Sequence, residues 1–301
     1  MWTRVVDKSP ASSKFIALTD SCHEMRIRLG HTPDADDAFM FYAIASGKVG
    51  SSHFEIEHVI EDIESLNKRA LKHELDVTAI SAHAYAYLSD YVILRSGGSF
   101  GINYGPIVIA KKGSGMSRET LAKATIAIPG RMTSANLLLQ LAIGRFKEKE
   151  MSFETIPDAV KSGEVDAGLV IHEAQITYDN NEFDSVLDLG RWWSACAKAL
   201  PVPLGINVAS SASMTHDQIQ EFSDVFARSI SYGLDNTDAA LDYAMTYGRK
   251  NDKETIGRFV KMYVNQYTRD MGWEGKESID KFFAMASERG LLKKSPQVKV
   301  V

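Results

Sequence analysis

The feature that most constrains this chain is a repeated switch of hydrophobic period, from two to about 3.6 and back. Met25-Arg26-Ile27-Arg28-Leu29-Gly30 alternates and reads as a strand. Pro33 and the acids Asp34, Asp36 and Asp37 then open a helix to about Ser46, and Gly47 closes it. Phe54–Val59 is a second strand. Ile63–His73 follows as a helix with Leu66, Ala70 and Leu71 on one face, then come strand Leu75–Ile80 and a short helix over Ala82–Leu88. Tyr91–Arg95 and Pro106–Lys111 are further strands, separated by a Gly-rich segment. A second run begins with strand Thr125–Pro129 and a helix from about Thr133 to Phe146. Phe153–Ile156 and Ala167–Ile171 are then strands around a short helix at Asp158–Ser162. Strand Leu204–Ala209 precedes a mostly helical stretch from Thr215 to Gly290. Such alternation predicts a parallel sheet covered on both faces.

With 301 residues, the chain is near the length at which one core divides into two. Two α/β runs linked by strands near Pro106–Lys111 and Leu204–Ala209 imply two lobes. The first is discontinuous, 25–108 with 206–301, and the second is 109–205. That is the layout of the type II periplasmic-binding-protein-like fold, with a central cleft. Ligands of open sheets lie outside the carboxyl ends of strands. Here those ends are Gly30-His31-Thr32, Ile80-Ser81-Ala82, Pro129-Gly130-Arg131 and Ile171-His172-Glu173. Asn67 and Ser81 are expected on one side of the cleft, with Thr133, Ser134 and His172 on the other. Residues 1–24 lack periodicity and read as an extension; their longest apolar piece, Phe15-Ile16-Ala17-Leu18, is too short for a secretory signal.

A net charge of -5 with scattered Lys and Arg argues against nucleic acid and against a cationic membrane-surface helix. No apolar run approaches the ~20 residues that span a bilayer. Cys22 and Cys196 are too far apart in the chain for a zinc spacing or a disulfide framework, and read as reduced thiols of a cytoplasmic protein. A homodimer is left open.

Several motifs have two readings. Gly97-Gly98-Ser99-Phe100-Gly101 matches G-x-S-x-G, but strands flank it on both sides, so it is a turn and not a nucleophile elbow. A calcium loop starting at Asp34 would need Gly and Glu where Phe39 and Ala45 stand. Asp34, Asp36 and Asp37 therefore either cap a helix or touch ligand hydroxyls. Pro129-Gly130-Arg131-Met132-Thr133-Ser134 runs from a strand into a helix. Thr133 or Ser134 is an N-cap, and such a terminus opening on the cleft is also a carboxylate site. Without G-x-x-x-x-G-K-[ST], it is no P-loop. His172 ends the apolar run Ala167-Gly168-Leu169-Val170-Ile171. It is either a satisfied core residue or a proton-transfer group, with no His/Cys cluster around it for a metal.

The order of these segments resembles the 1,4-dihydroxy-6-naphthoate synthase family of the futalosine route to menaquinone, from Met25 to Phe283. The carriers in the first run are Thr32-Pro33 through Asp37 with Phe39, Phe41-Tyr42-Ala43, Glu61-Asp62-Ile63-Glu64-Ser65-Leu66-Asn67, Leu75-Asp76-Val77-Thr78 with Ser81, and Leu94-Arg95-Ser96-Gly97. In the second run, Ile128-Pro129-Gly130 with Thr133 is similar to the family's anion loop, and Ala167 through Glu173 with Thr177-Tyr178 is the most specific match. Leu187-Asp188-Leu189-Gly190, Trp192-Trp193, Pro203-Leu204-Gly205 and Tyr263-Val264-Asn265 complete it. Two departures stand out. The family's Pro-Asn-Asp-Thr-Phe is Ala35-Asp36-Asp37-Ala38-Phe39 here, and its second glycine after Pro-Leu-Gly is Ile206.

The resemblance implies a carbon–carbon lyase acting on cyclic dehypoxanthine futalosine, a small anionic substrate with an aromatic carboxylate and a sugar-derived fragment. A base removes a proton, the fragment is expelled and the second ring becomes aromatic. His172 would supply the base and Thr133 with Ser134 the carboxylate anchor, with Asp37, Asn67 and Ser81 as further substrate contacts. Such chemistry needs neither a redox nor a metal cofactor. Two other classes compete on this scaffold: a non-catalytic binding protein for a small carboxylate, and chorismate dehydratase of the same pathway.

Overall fold

The computed structural model describes residues 25–247 and 252–301, so the extension expected over 1–24, with Cys22, lies outside the described residues. In chain order the first strands are β1 (Met25–His31), β2 (Phe54–Ile60), β3 (Val77–Ser81), β4 (Tyr91–Ile93) and β5 (Ser99–Gly101). There follow β6 (Ile107–Lys111), β7 (Thr125–Ile128), β8 (Lys147–Glu150), β9 (Ala167–Val170), β10 (Phe183–Asp188) and β11 (Val202–Ser210). They form two sheets. The first has the order β2-β1-β3-β11-β4 with β5 also on β11, and the second has the order β10-β6-β9-β7-β8. The fold is α/β and two-lobed.

The expected all-parallel sheets are mixed instead. β1 runs parallel to β2 and β3, and β7 to β8 and β9. β11 is antiparallel to β3, β4 and β5, and β6 is antiparallel to β9 and β10. The reason lies in the crossings. β6 and β11 carry the chain from one sheet to the other, so they enter from the opposite side to a strand returning after its own helix. β6 belongs wholly to the second sheet and β11 wholly to the first.

A strand was expected at Phe153–Ile156, but that segment is a 3-10 turn, Phe153–Thr155, leading into helix Ile156–Ser162 with Pro157 in its first turn. The strand lies earlier, at Lys147–Glu150. Lys-Glu-Lys-Glu has no apolar face to signal a strand. It is tolerated because β8 is the edge of its sheet, where charged side chains stay in water and discourage pairing with another chain. Strand β10 and the amphipathic helix Leu189–Cys196 after it were also not anticipated. Asp188 starts that helix by accepting hydrogen bonds from the amides of Gly190 and Arg191.

Gly97-Gly98 lie between β4 and β5, but Ser99-Phe100-Gly101, read as part of the turn, form strand β5 on β11; no helix follows, so the segment is no nucleophile elbow. Gly97 has φ +81, and a Cβ there would stand 2.1 Å from the ring of Phe226, so the turn admits only glycine.

One apolar cluster runs through both sheets. It joins Ile80, Phe100 and Ile206 of the first to Val108, Ile126 and Leu169 of the second, by way of Leu137, Leu141, Trp193 and Phe282. Helix Gly272–Glu288 touches both β11 and helix Ser134–Ile143. The lobes are thus packed against each other beside the cleft, and the carboxyl ends of β1, β3, β7 and β9 converge on it.

Candidate active site

The cleft holds a cavity of about 670 Å³ of atom-free space, part of it open to solvent. The first sheet contributes Thr32, Asp34, Asp36 and Asp37 after β1, Ala79, Ile80 and Ser81 from β3, Leu204 to Asn207 from β11, and Ser99 from β5. The second contributes Thr133, Ser134 and Ala135 after β7, and Ile171, His172 and Gln175 after β9. Phe259 and Tyr263 come from helix Lys253–Tyr263. The wall is apolar at Ile80, Leu204 and Ile206 and polar where Thr32, Asp34, Asp36, Asp37, Ser81, Ser99, Thr133, Ser134 and His172 line it.

The acids after β1 do not act as simple caps. Asp34 occupies the N-cap position of helix Ala35–Ala45, yet its side chain makes no capping bond. Its Oδ2 lies 3.1 Å from Nδ1 of His172, across the cleft. Asp37 reaches back to accept from the amide of Thr32 (2.7 Å) and from its hydroxyl (2.9 Å). Burial raises its pKa to about 6 against the pull of those two bonds. Asp36 accepts from the Ser99 hydroxyl at 3.1 Å. Burial, then Asp37, Asp34 and Glu173, hold its proton well above the usual carboxyl range.

His172 has φ 53, a left-handed backbone that costs a residue with a Cβ roughly 1–3 kcal/mol. Gln175 secures it. With its amide oriented to suit its partners, Gln175 accepts from the His172 amide at 3.0 Å and donates to the Gly105 carbonyl at 2.6 Å and the Tyr263 hydroxyl at 2.7 Å. The ring of Phe153 meets the imidazole edge-on at 4.9 Å. The side chain is 18% exposed, so His172 lies at the cleft surface and not in the core.

Thr133 and Ser134 line the cavity, but their hydroxyl protons are spent. Thr133 Oγ1 donates to the Gly130 carbonyl (2.8 Å) and accepts from the Asn136 amide (3.2 Å), an N-cap for helix Ser134–Ile143. Ser134 Oγ donates to the Leu204 carbonyl (2.6 Å) and accepts from the His83 amide (3.2 Å). A hydroxyl has one proton to give, so neither side chain donates to an anion here. Among the described residues the amides of Ser134 and Ala135 have no acceptor. The donors at this helix end are backbone groups.

Asn67 was expected to face the cleft and does not. It is fully buried behind Ser81, accepting from the Ser81 amide (2.8 Å) and donating to the Ser81 hydroxyl (3.2 Å). It holds Ser81, which does line the cavity. Beside it, Glu64 crosses to the second sheet and accepts from the Met132 amide at 3.2 Å. A Cβ on Gly130 would stand 2.5 Å from Glu64 Oε2, so this loop needs its glycine. Burial raises the pKa of Glu64.

Gln175, Ser99, Phe259 and Tyr263 were not picked out by residue type. Tyr263 carries the one usable signal, since Tyr263-Val264-Asn265 stands among the segments that carry the resemblance. Among the described residues no cluster of three or more His, Cys, Asp or Glu is arranged to hold a metal. Likewise, no described helix is long and apolar enough to cross a membrane.

A family model described as menaquinone biosynthesis matches residues 27–288. The chain belongs to that family. Within it, a Thermus thermophilus relative named 1,4-dihydroxy-6-naphthoate synthase is 38% identical over 272 residues, 90% of this chain and 97% of the relative. A crystal structure of an Archaeoglobus fulgidus protein is 50% identical with TM-score 0.83, covering 88% of this chain and 98% of that one. The periplasmic aliphatic sulphonate binding protein of Escherichia coli aligns over 90% of this chain and 94% of its own with TM-score 0.60. At 13% identity it shows the shared fold alone. The family's scaffold is thus the periplasmic-binding-protein-like one.

Proposed function

We propose that this protein is a 1,4-dihydroxy-6-naphthoate synthase, a carbon–carbon lyase acting on cyclic dehypoxanthine futalosine with His172 as general base. The observation that carries the reading is His172 itself: a histidine held in a strained backbone, at the cleft surface, within the most specific segment of the family resemblance. Strain of this kind persists where the surrounding structure imposes it, and it concentrates at working sites.

In this reading the aromatic body lies along Ile80, Leu204 and Ile206, and its carboxylate meets the amides of Ser134 and Ala135 at the helix start. The sugar-derived end meets Asp37, Asp36 and Ser81. A neutral imidazole takes a proton from carbon, the electron pair left behind forms the new ring double bond as the fragment leaves, and the second ring becomes aromatic. The apolar wall at Ile80, Leu204 and Ile206 limits the water that can reach the carbanionic stage. The protein works in the cytoplasm, and the lobes divide near the two crossing strands.

Incubating the protein with cyclic dehypoxanthine futalosine and detecting the naphthoate by mass tests this. His172→Ala should fold, bind substrate and lose about 10²–10⁴ in kcat, the usual worth of a positioned base. Wild-type turnover should fall as pH drops and the imidazole takes up a proton. Tight binding of the substrate with no product would instead make this a binding protein. Undiminished turnover in folded His172→Ala would remove His172 from the chemistry.

A further inference from the structure

A base works only if its ring is held in one tautomer and aimed at the reacting carbon. The backbone of His172 is fixed by Gln175, but Gln175 touches its amide and not its imidazole. The group at the imidazole is Asp34, whose Oδ2 lies 3.1 Å from Nδ1. We propose that Asp34 is the positioning residue for His172, delivered to it across the cleft from the opposite sheet. This rests on His172 being the base.

Three observations carry the assignment. Asp34 stands at the N-cap position of its helix, where an aspartate ordinarily bonds the first-turn amides, and it makes no such bond. Its side chain is instead aimed across the cleft, with only 2% of it exposed. The two residues come from different sheets: Asp34 follows β1 and His172 follows β9. The pair therefore spans the two lobes, and it is already in place beside the cavity.

The chemistry follows from which nitrogen is taken. A carboxylate at Nδ1 keeps the proton there and leaves the Nε2 lone pair for the substrate. When the C–H bond breaks, its proton goes to Nε2 and its electron pair forms the new ring double bond; the C–C bond to the fragment breaks, and the fragment leaves with that bond's electron pair and is then protonated. The resulting imidazolium then sits against the Asp34 carboxylate, which stabilises it without taking the proton. Other ionisable groups face the pair among the described residues: Asp36 and Asp37 from the same helix turn, Glu173 next in the chain, and Tyr263 through Gln175. All keep their places when Asp34 is changed, but Asp36 and Asp37, whose protons Asp34 helps to hold, become easier to ionise, which works against the change at His172.

Asp34→Asn is compared with wild type and His172→Ala by steady-state kinetics across pH, and by NMR titration of the His172 imidazole, assigned from its absence in His172→Ala. Asp34→Asn should melt like wild type and keep KM within about threefold. Its kcat should fall at least tenfold, as when a histidine loses its orienting carboxylate. Losing the nearby negative charge makes the imidazolium less favourable. The His172 titration and the acid limb of kcat should both move to lower pH. Asp34→Glu should restore part of the rate. Asp34→Ser, equally uncharged, supplies the same readouts if the asparagine variant does not fold. An unchanged imidazole titration and kcat in Asp34→Asn, beside an inactive His172→Ala, would overturn the positioning role. A shifted titration with unchanged kcat would overturn it too, leaving Asp34 as a purely structural partner. Normal turnover in His172→Ala would instead sink the base reading on its own.

Discussion

Asp36→Asn should make the protein more stable at neutral pH, and increasingly so as pH rises. Asp36 is buried, close to Asp37, Asp34 and Glu173, and burial is the largest reason its proton is held well above the normal range. A carboxyl whose folded pKa exceeds its unfolded value binds its proton more tightly in the folded state. Its contribution to stability is present in full below about pH 4, the unfolded value, and is lost as pH rises through the folded value. Across that window the slope approaches about 1.4 kcal/mol per pH unit for one proton. Asparagine has no proton to lose, and its Oδ1 can still accept from the Ser99 hydroxyl, 3.1 Å from Asp36 Oδ2. The stability gap between variant and parent should therefore widen from pH 4 upwards. Urea unfolding at one-unit steps from pH 4 to 8 measures both curves. Parallel curves would refute the reasoning, because they would mean Asp36 titrates alike in folded and unfolded chains.

Thr133→Ala removes the acceptor of the Asn136 amide and should cost about 0.5–2 kcal/mol of stability in urea titrations. Because its hydroxyl proton is already committed to Gly130, affinity for an aromatic carboxylate, read by calorimetry, should stay within a few fold. Gly130→Ala drives a methyl against Glu64 and should cost about 1–3 kcal/mol. Pairing it with Glu64→Ala should recover part of that loss, and a double-mutant cycle that sums to zero would show that the clash is not there.

The alternation of periods was enough to read two α/β lobes and the strand ends that meet at the cleft, because core-facing strands and helices carry their burial in their spacing. It failed where burial is slight. Lys147–Glu150 is an edge strand with no apolar face, and Phe153–Thr155 looked like the strand that was missing. At the site, residue type located His172, Ser81 and Asp37 on the cavity wall, since strand ends fix position. Spacing could not show who holds whom. Asn67 faces Ser81 and not ligand, the hydroxyls of Thr133 and Ser134 are turned inward, and Asp34 reaches another lobe. Each of these depends on contacts between segments far apart in the chain.

The place of β11 also sets an order of events for a growing chain. Strands β6 to β10 are contiguous, so the second sheet has all its members once residue 188 has been made. The first sheet has β1 to β5 earlier, but β11 stands between β3 and β4, pairing Val208 with both Thr78 and Ile93. Until that strand arrives, β3 has an open edge, and β4 and β5 have no sheet to join. The lobe begun first is the lobe finished last. During synthesis the second sheet can close while the first waits with a bare edge, the condition in which unpaired strands meet strands of other molecules. In pulse-labelled refolding, amides of β7 and β9 should gain protection before those of β3 and β11.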